Sequence, residues 1–237
     1  MVGIARTFAA YCLPGQSGLL SPAGRSSPHS IIGRSGRLSY LFGRLCGRLL
    51  GIDYIRHILV AMPVEAMPRM PRGYDARIVS AEELARHRID ADARVQADRF
   101  AMGMTCIGAF DRHGRLLGVT WLGTGHHRET VLRIGFGLPP GAAWDGGLWI
   151  DEERRMTRAF QALWAGVRDW LEAQGLAQTF SSIADYNAAS IAAHRRLGAT
   201  VVGQVGVIRI GGLQCTIGGR RRLCWSRTVW PKIDLPG

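Results

Sequence analysis

The stretch LWIDEERRMTRAFQALW, residues 148–164, decides the fold. Its first residues read as the end of a strand, and past Arg154 the apolar positions recur at helical spacing. Phe160, Leu163, Trp164, Val167, Trp170 and Leu171 form one broad stripe, which predicts a helix from about Arg154 to Gln174, with Gly175 placed to end it. A strand that feeds a helix through a short turn leaves free backbone N–H groups and the positive end of the helix dipole at that turn. Such a mouth suits an anion, a pyrophosphate included.

Working outward, residues 177–183 read as a strand, 188–197 as a short helix closed by Gly198, and 201–210 and 213–217 as strands joined by Gly211-Gly212. Towards the N-terminus, 74–79 is a strand, and Ser80-Ala81-Glu82-Glu83 has capping-box spacing before a polar helical stretch to about 99. Strands are predicted at 105–110 and 116–122 around a turn, then at 131–138 and 147–150 with Pro139-Pro140-Gly141 between them. The order β-α-β-β-β-α-β-α-β-β, without an internal repeat, describes an α/β domain in which a central helix follows a central strand.

The 237 residues are 47% hydrophobic and 20% charged, enough to bury a sizeable core and unlike a disordered chain. Five scattered cysteines (12, 46, 106, 215, 224), with no C-x-x-C, exclude a disulfide framework and a sequence-evident zinc site and favour a reducing cytoplasm. The net charge of +12 predicts attraction to anions: a phosphorylated cofactor, nucleic acid or an acidic membrane surface. No helix-turn-helix, zinc-finger or ordered aromatic-basic pattern supports specific nucleic-acid recognition.

No acidic residue precedes Asp53, whereas six arginines do. Residues 1–38 read as a basic Gly/Ser/Pro-rich extension without a core. Residues 39–72 are expected to be an amphipathic helix, 39–62, followed by a proline-rich linker through Pro63, Pro68 and Pro71. Leu41, Leu45, Leu49 and Leu50 line one side of that helix; Arg44, Arg48, Asp53, Arg56 and His57 interrupt it too often for a membrane span, leaving packing on the domain or peripheral membrane contact. The main domain then runs over 73–217, with a basic tail at 218–237.

Two segments resemble motifs of the GCN5-related N-acetyltransferases (GNAT). Arg154-Arg155-Met156-Thr157-Arg158-Ala159 is similar to the acyl-CoA signature Arg/Gln-x-x-Gly-x-Gly/Ala, with Thr157 where the family has glycine. SSIADYNAASIAAHRRLGATVVG, residues 181–203, is similar to the later Asn-x-x-Ala/Ser motif: Asn187, Ser190, Leu197 and Gly198 match, and Ala199 replaces an aromatic residue. The resemblance covers residues 73–217 and implies a mixed, mostly antiparallel sheet flanked by helices. It also implies acetyl-CoA or another acyl-CoA as cofactor, held by Trp149, Ile150, residues 154–159, Asn187 and Ser190. His194 stands where many members carry a tyrosine that protonates the departing thiolate.

Acyl transfer to an amine needs a base, an oxyanion donor and a route for the thiolate to leave. The resemblance puts the donor on a backbone N–H near Trp149, Ile150 or Asp151. Candidate bases are Asp151, Asp145 and Glu129; Trp144 and Asp145, read as a loop, and Asp185 are candidates for the acceptor. The adjacent His126-His127 lack positioned carboxylates, so no metal is expected. Direct attack by a small-molecule or peptide amine suits a sequence without a Cys/His nucleophile pair. The competing readings are an inactive relative that only binds, motivated by Thr157 and the missing tyrosine, and a basic membrane-surface protein.

Overall fold

The computed structural model describes residues 28–89, 91–155, 157–218 and 222–237. The predicted extension therefore lies mostly outside the described residues, as does Met156. Among the described residues, five helices accompany a nine-stranded sheet of order β11-β10-β9-β1-β8-β7-β4-β3-β2 and a small sheet of order β12-β6-β5.

The first departure from expectation lies at the N-terminal end. Helix α1 (Pro28–Leu50) stops at Gly51, whose φ of +64° glycine accepts without strain, and Ile52–Pro63 is not helix but strand β1. This strand lies antiparallel between β8 (Gln178–Ala184) and β9 (Thr200–Ile210), with His57 opposite Ala184 on one side and Val205 on the other. Alternation explains its stability: Ile58, Val60 and Met62 join the core beneath the helices, while Leu59 and Ala61 join the core on the opposite face. The proline-rich piece after it makes a single 3-10 turn, Val64–Ala66, before β2 (Tyr74–Ile78).

Ser80 caps α2 (Ala81–Leu84) by accepting from Glu83 N at 3.1 Å, but the reciprocal arm of the box is diverted: Glu83 binds Arg77 at 2.5 and 2.7 Å. α3 (Ala93–Ala101) leads into the hairpin of β3 (Thr105–Asp111) and β4 (Leu116–Thr124). The predicted strand at 131–138 is shorter, β6 (Ile134–Gly137), because Arg133 turns the chain at a φ of 52°; it pairs with β5 (His126–Glu129). The expected tail contributes β11 (Arg222–Trp225), which extends the large sheet beyond β10 (Leu213–Ile217), and β12 (Lys232–Asp234), which completes the small one.

Strand β7 (Ala142–Ile150) begins before the predicted 147, so Trp144 and Asp145 belong to a strand rather than a loop. It is connected to β8 through α4 (Ala159–Ala173), whose buried stripe of Leu163, Trp164, Val167 and Leu171 covers the sheet. α5 (Ala188–Arg196) follows β8. In the large sheet every neighbouring pair is antiparallel except β7 and β8, which gives the mixed, mostly antiparallel α/β architecture expected.

Candidate active site

The parallel ladder between β7 and β8 is short. It holds from Ala142↔Gln178 to Trp144↔Phe180 and then ends, although both strands continue. On its other side β7 stays paired with β4, but with a register shift between Val119 and Trp121 where Gly147 adopts a φ of +66°. A bulge bends a strand and increases its local twist. Here the rest of β7 leaves β8 while staying paired with β4.

Two consequences follow for chemistry. Asp151 N donates to Leu117 O at 2.9 Å, so antiparallel alternation turns the Ile150 N–H to the opposite edge of β7, the edge from which β8 has parted. Ile150 itself is buried and Trp149 half-buried. Second, the parting begins at a buried polar group. Asp145 accepts from Thr120 Oγ1 and from Ser181, and the ring of His194 lies close enough to favour its ionised form. Burial is the largest influence and pushes the Asp145 carboxyl above its ordinary value; His194, Thr120, Ser181 and Arg99 oppose it.

His194 is not the surface residue that its neighbours Arg195 and Arg196 suggest. It is buried edge-on to Trp164 at 5.4 Å and Phe160 at 5.9 Å, and its Nδ1 donates to Ser190 O at 2.8 Å. A carbonyl only accepts, so Nδ1 carries the proton and Nε2 is the nitrogen left for chemistry. Asn187 caps α5 by accepting from Ser190 N at 3.1 Å, which aims the first turn of that helix.

The signature turn is more closed than expected. Residues 152–154 form a 3-10 turn capped by Asp151, and α4 starts only at Ala159. Thr157 N donates to Arg154 O at 3.0 Å, Thr157 Oγ1 donates to the same carbonyl at 2.7 Å, and Ala159 N donates to Thr157 Oγ1 at 3.2 Å. The hydroxyl that replaces glycine thus takes one of the amides an anion would use. Helical geometry still leaves the Phe160 and Gln161 N–H groups without intrahelical acceptors, since the first such bond among the described residues runs from Ala162 to Arg158, and the side chain of Arg158 at the N-cap accepts from neither. The acids of the turn are neutralised locally: Arg115 meets Asp151 at 2.8 Å and Glu153 at 3.5 Å, and Arg155 meets Glu152 at 3.2 Å. Arg158 is exposed, and the buried Arg154 Nε has no hydrogen-bond partner among the described residues.

Several candidates are displaced by the geometry. Trp144 is fully buried, stacked on His127 at 4.5 Å and on Phe136 at 4.9 Å, so it is core rather than pocket wall. Glu129 pairs with His127 at 3.7 Å on that same face, across the sheet from Asp145. Burial raises its pKa, but His127, His57 and the Val131 N–H together hold it below its usual value. Asp185 is closed off by α1, where Gly36 lies against its carbonyl, and faces Arg56 at 3.8 Å. Asp151 is committed to Arg115 and to its cap. Among the described residues no group of three or more His, Cys, Asp or Glu is arranged to hold a metal. Thr120, Ser181 and Arg99 were invisible as site residues in the sequence, because strand register brings the first two to Asp145 and the packing of α3 on the sheet brings the third near it.

Fold and site together define a mixed-sheet α/β protein with a buried polar group where two parallel strands part near a helix N-terminus. The chain is similar to a GCN5-related N-acetyltransferase from Sphaerobacter thermophilus (16% identity, TM-score 0.46, covering 81% of this chain and 57% of that one). It is also similar to a tandem GNAT protein from the clavulanic acid biosynthesis pathway (17%, 0.45, 67% and 55%) and to a functionally unknown conserved protein from Staphylococcus epidermidis (13%, 0.49, 72% and 67%). The chain thus spans little more than half the length of the first two. No family model and no curated protein matches it.

Proposed function

We propose that the protein is an acyl-CoA-dependent N-acyltransferase of the GNAT type, most simply an acetyltransferase, that works by direct attack of an amine. The observation that carries this reading is the parting of β7 from β8 at a buried Asp145–Thr120–Ser181 group, beside His194 and in front of the mouth of α4.

The residues present fit such a cofactor. Arg154, Arg158 and the Phe160 and Gln161 amides would hold the diphosphate, and the Ile150 N–H would serve the carbonyl oxygen. Trp164 Nε1 and Thr179 Oγ1 are buried without hydrogen-bond partners among the described residues, polar atoms of the kind an amide-bearing arm satisfies. When bound, the cofactor supplies an acyl group activated as a thioester. The chain's own residues do the rest. Asp145 and His194 divide the proton work: buried, the carboxyl of Asp145 tends to keep its proton, and His194, with Nδ1 already committed to Ser190, takes or returns a proton only at Nε2. Ile150 stabilises developing negative charge through a fixed backbone dipole that needs no reorganisation. Trp149, Asn187 and Ser190 shape the cleft, Asn187 by capping α5. The acceptor is a small-molecule or peptide amine.

A second reading has its own observation: the Thr157 hydroxyl occupies the Ala159 amide, which favours a protein that binds weakly or only binds. Titration calorimetry with acetyl-CoA and a thiol-release assay across a panel of amines separate the two. The enzyme reading expects heat on titration and amine-dependent thiol that His194→Phe abolishes. Binding without thiol release supports the second reading, and no binding overturns both.

A further inference from the structure

Helix α1 is amphipathic in the reverse sense for a helix that lies on a domain. The residues it turns to the protein are small: Gly36 lies against the Asp185 carbonyl, a Cβ on Gly43 would come within 2.8 Å of Tyr54 O, and one on Gly47 within 3.7 Å of Ile52 O. Among the described residues Tyr40, tilted against Tyr186 at 4.8 Å, and the edge of Phe42, 5.6 Å from the Tyr54 ring, add bulk to that contact. The leucine side points outward, with Leu38, Leu41, Leu45 and Leu49 between 58% and 69% exposed and Phe42 at 57%. A helix normally spends its apolar stripe on the core. This one uses close backbone approach to dock and leaves the stripe uncovered.

The stripe does not stop at the helix. Tyr54 on β1 pairs with Ile208 on β9, and Ile208 with Cys215 on β10, so register assigns Ile210, Leu213, Leu223 and Trp225 to the sheet face that also carries α1. These four side chains are 42% to 69% exposed. Exposed apolar side chains gathered on one side of a protein in this way mark an interaction site. Charge says which one. Arg44 and Arg48, both exposed, lie a turn apart along one flank of the stripe, and α1 contains no carboxylate. A second copy meeting this face in an antiparallel two-fold would set arginine row against arginine row with no acid to answer it. An anionic lipid surface answers both features, taking the leucines into the acyl boundary and the arginines at the headgroups.

We propose that α1, with the adjoining face of β9–β11, docks the protein on a membrane rich in anionic lipid. The contact surface is the outer face of α1, not the whole of 39–62, since 52–63 is interior strand. Among the described residues no helix is long and apolar enough to cross a membrane, so the helix lies in the interface plane.

The test is co-sedimentation of the full chain with vesicles of phosphatidylcholine alone or with 30 mol% phosphatidylglycerol (about the anionic content that gives a strong surface potential). Binding is expected only to the anionic vesicles. The exposed pair Leu41→Gln/Leu45→Gln should weaken it at least tenfold, and Arg44→Gln/Arg48→Gln should weaken it and remove most of its salt dependence. Circular dichroism of both variants confirms that they fold. Failure of the wild-type chain to bind anionic vesicles overturns the proposal. So does unchanged binding by the leucine variant, which would mean general cation adsorption. A solution dimer that the leucine variant dissociates, without vesicle binding, would assign the face to a second copy.

Discussion

The Arg99 guanidinium fills the space in which a side chain at Gly147 would stand, and a single methyl group there would fall inside it. The guanidinium thus packs against the bulge of β7 from the face opposite α4, where it also lies over the Trp121 ring at 5.4 Å. Gly147→Ala should cost about 1–2 kcal/mol for the positive φ alone, plus a steric part. In an Arg99→Ala background the steric part should disappear while the backbone part remains. Urea midpoints of the four proteins in a double-mutant cycle measure this; equal costs in both backgrounds would show that the guanidinium simply moves aside.

Asp145 makes stability depend on pH in a definite direction. Its carboxyl lies above the ordinary value of 3.8, first because it is buried. The folded chain therefore keeps this proton at pH values where the unfolded chain has released it. The resulting stability is fully present below the unfolded value and is lost as pH rises through the folded one. Asp145→Asn removes the titration, so the variant should gain on the wild type as pH rises from 3.8 through the folded value, by about 1.4 kcal/mol for each unit of pKa elevation. A gap between the two proteins that stays constant across that range would show an unshifted carboxyl.

Cys106 should be inert in the folded protein. Burial pushes its thiol up to about 12, and the side chain has no exposure. Iodoacetamide at pH 8 should leave it unmodified until urea unfolds the chain, as read by peptide mass mapping. Half-buried Cys46 and Cys215 provide internal comparison.

Thr157→Gly should strengthen cofactor binding. It releases the Ala159 amide that the hydroxyl now holds. One additional hydrogen bond of about 1 kcal/mol corresponds to roughly a fivefold lower Kd. Titration calorimetry with CoA reads the change; a weaker Kd would mean that threonine organises the turn for its ligand. Ala159 is a poor place for the same question, because it is fully buried and a carboxylate there would unfold the chain.

Local periodicity made α4 legible. Its stripe from Phe160 to Leu171 is set by spacing alone, and the residues that follow it, Gly175 at a φ of +65°, end it as any helix of that sequence would. Asn187 before α5 was legible for the same reason, since a cap needs only the three residues after it. The strand at 52–63 was not. Its apolar residues continue the leucine spacing of α1, and only the partners waiting on both sides, Ile183 and Gln204 against Ile58, favour the extended form.

Site residues divide in the same way. The turn from Arg154 to Ala159 announces itself because neighbours in the chain build it. His194 stands in the sequence beside Arg195 and Arg196, and Asp145 reads as a loop acid; each is buried because elements far apart in sequence close over it, Trp164 and Phe160 over the ring, Thr120 and Ser181 over the carboxylate. Helix ends, turns and stripes follow from interactions within a few residues, which sequence order contains. Strand register, burial and the outward leucines of α1 arise from competition among distant surfaces for one core, and that competition is settled only when the chain has folded.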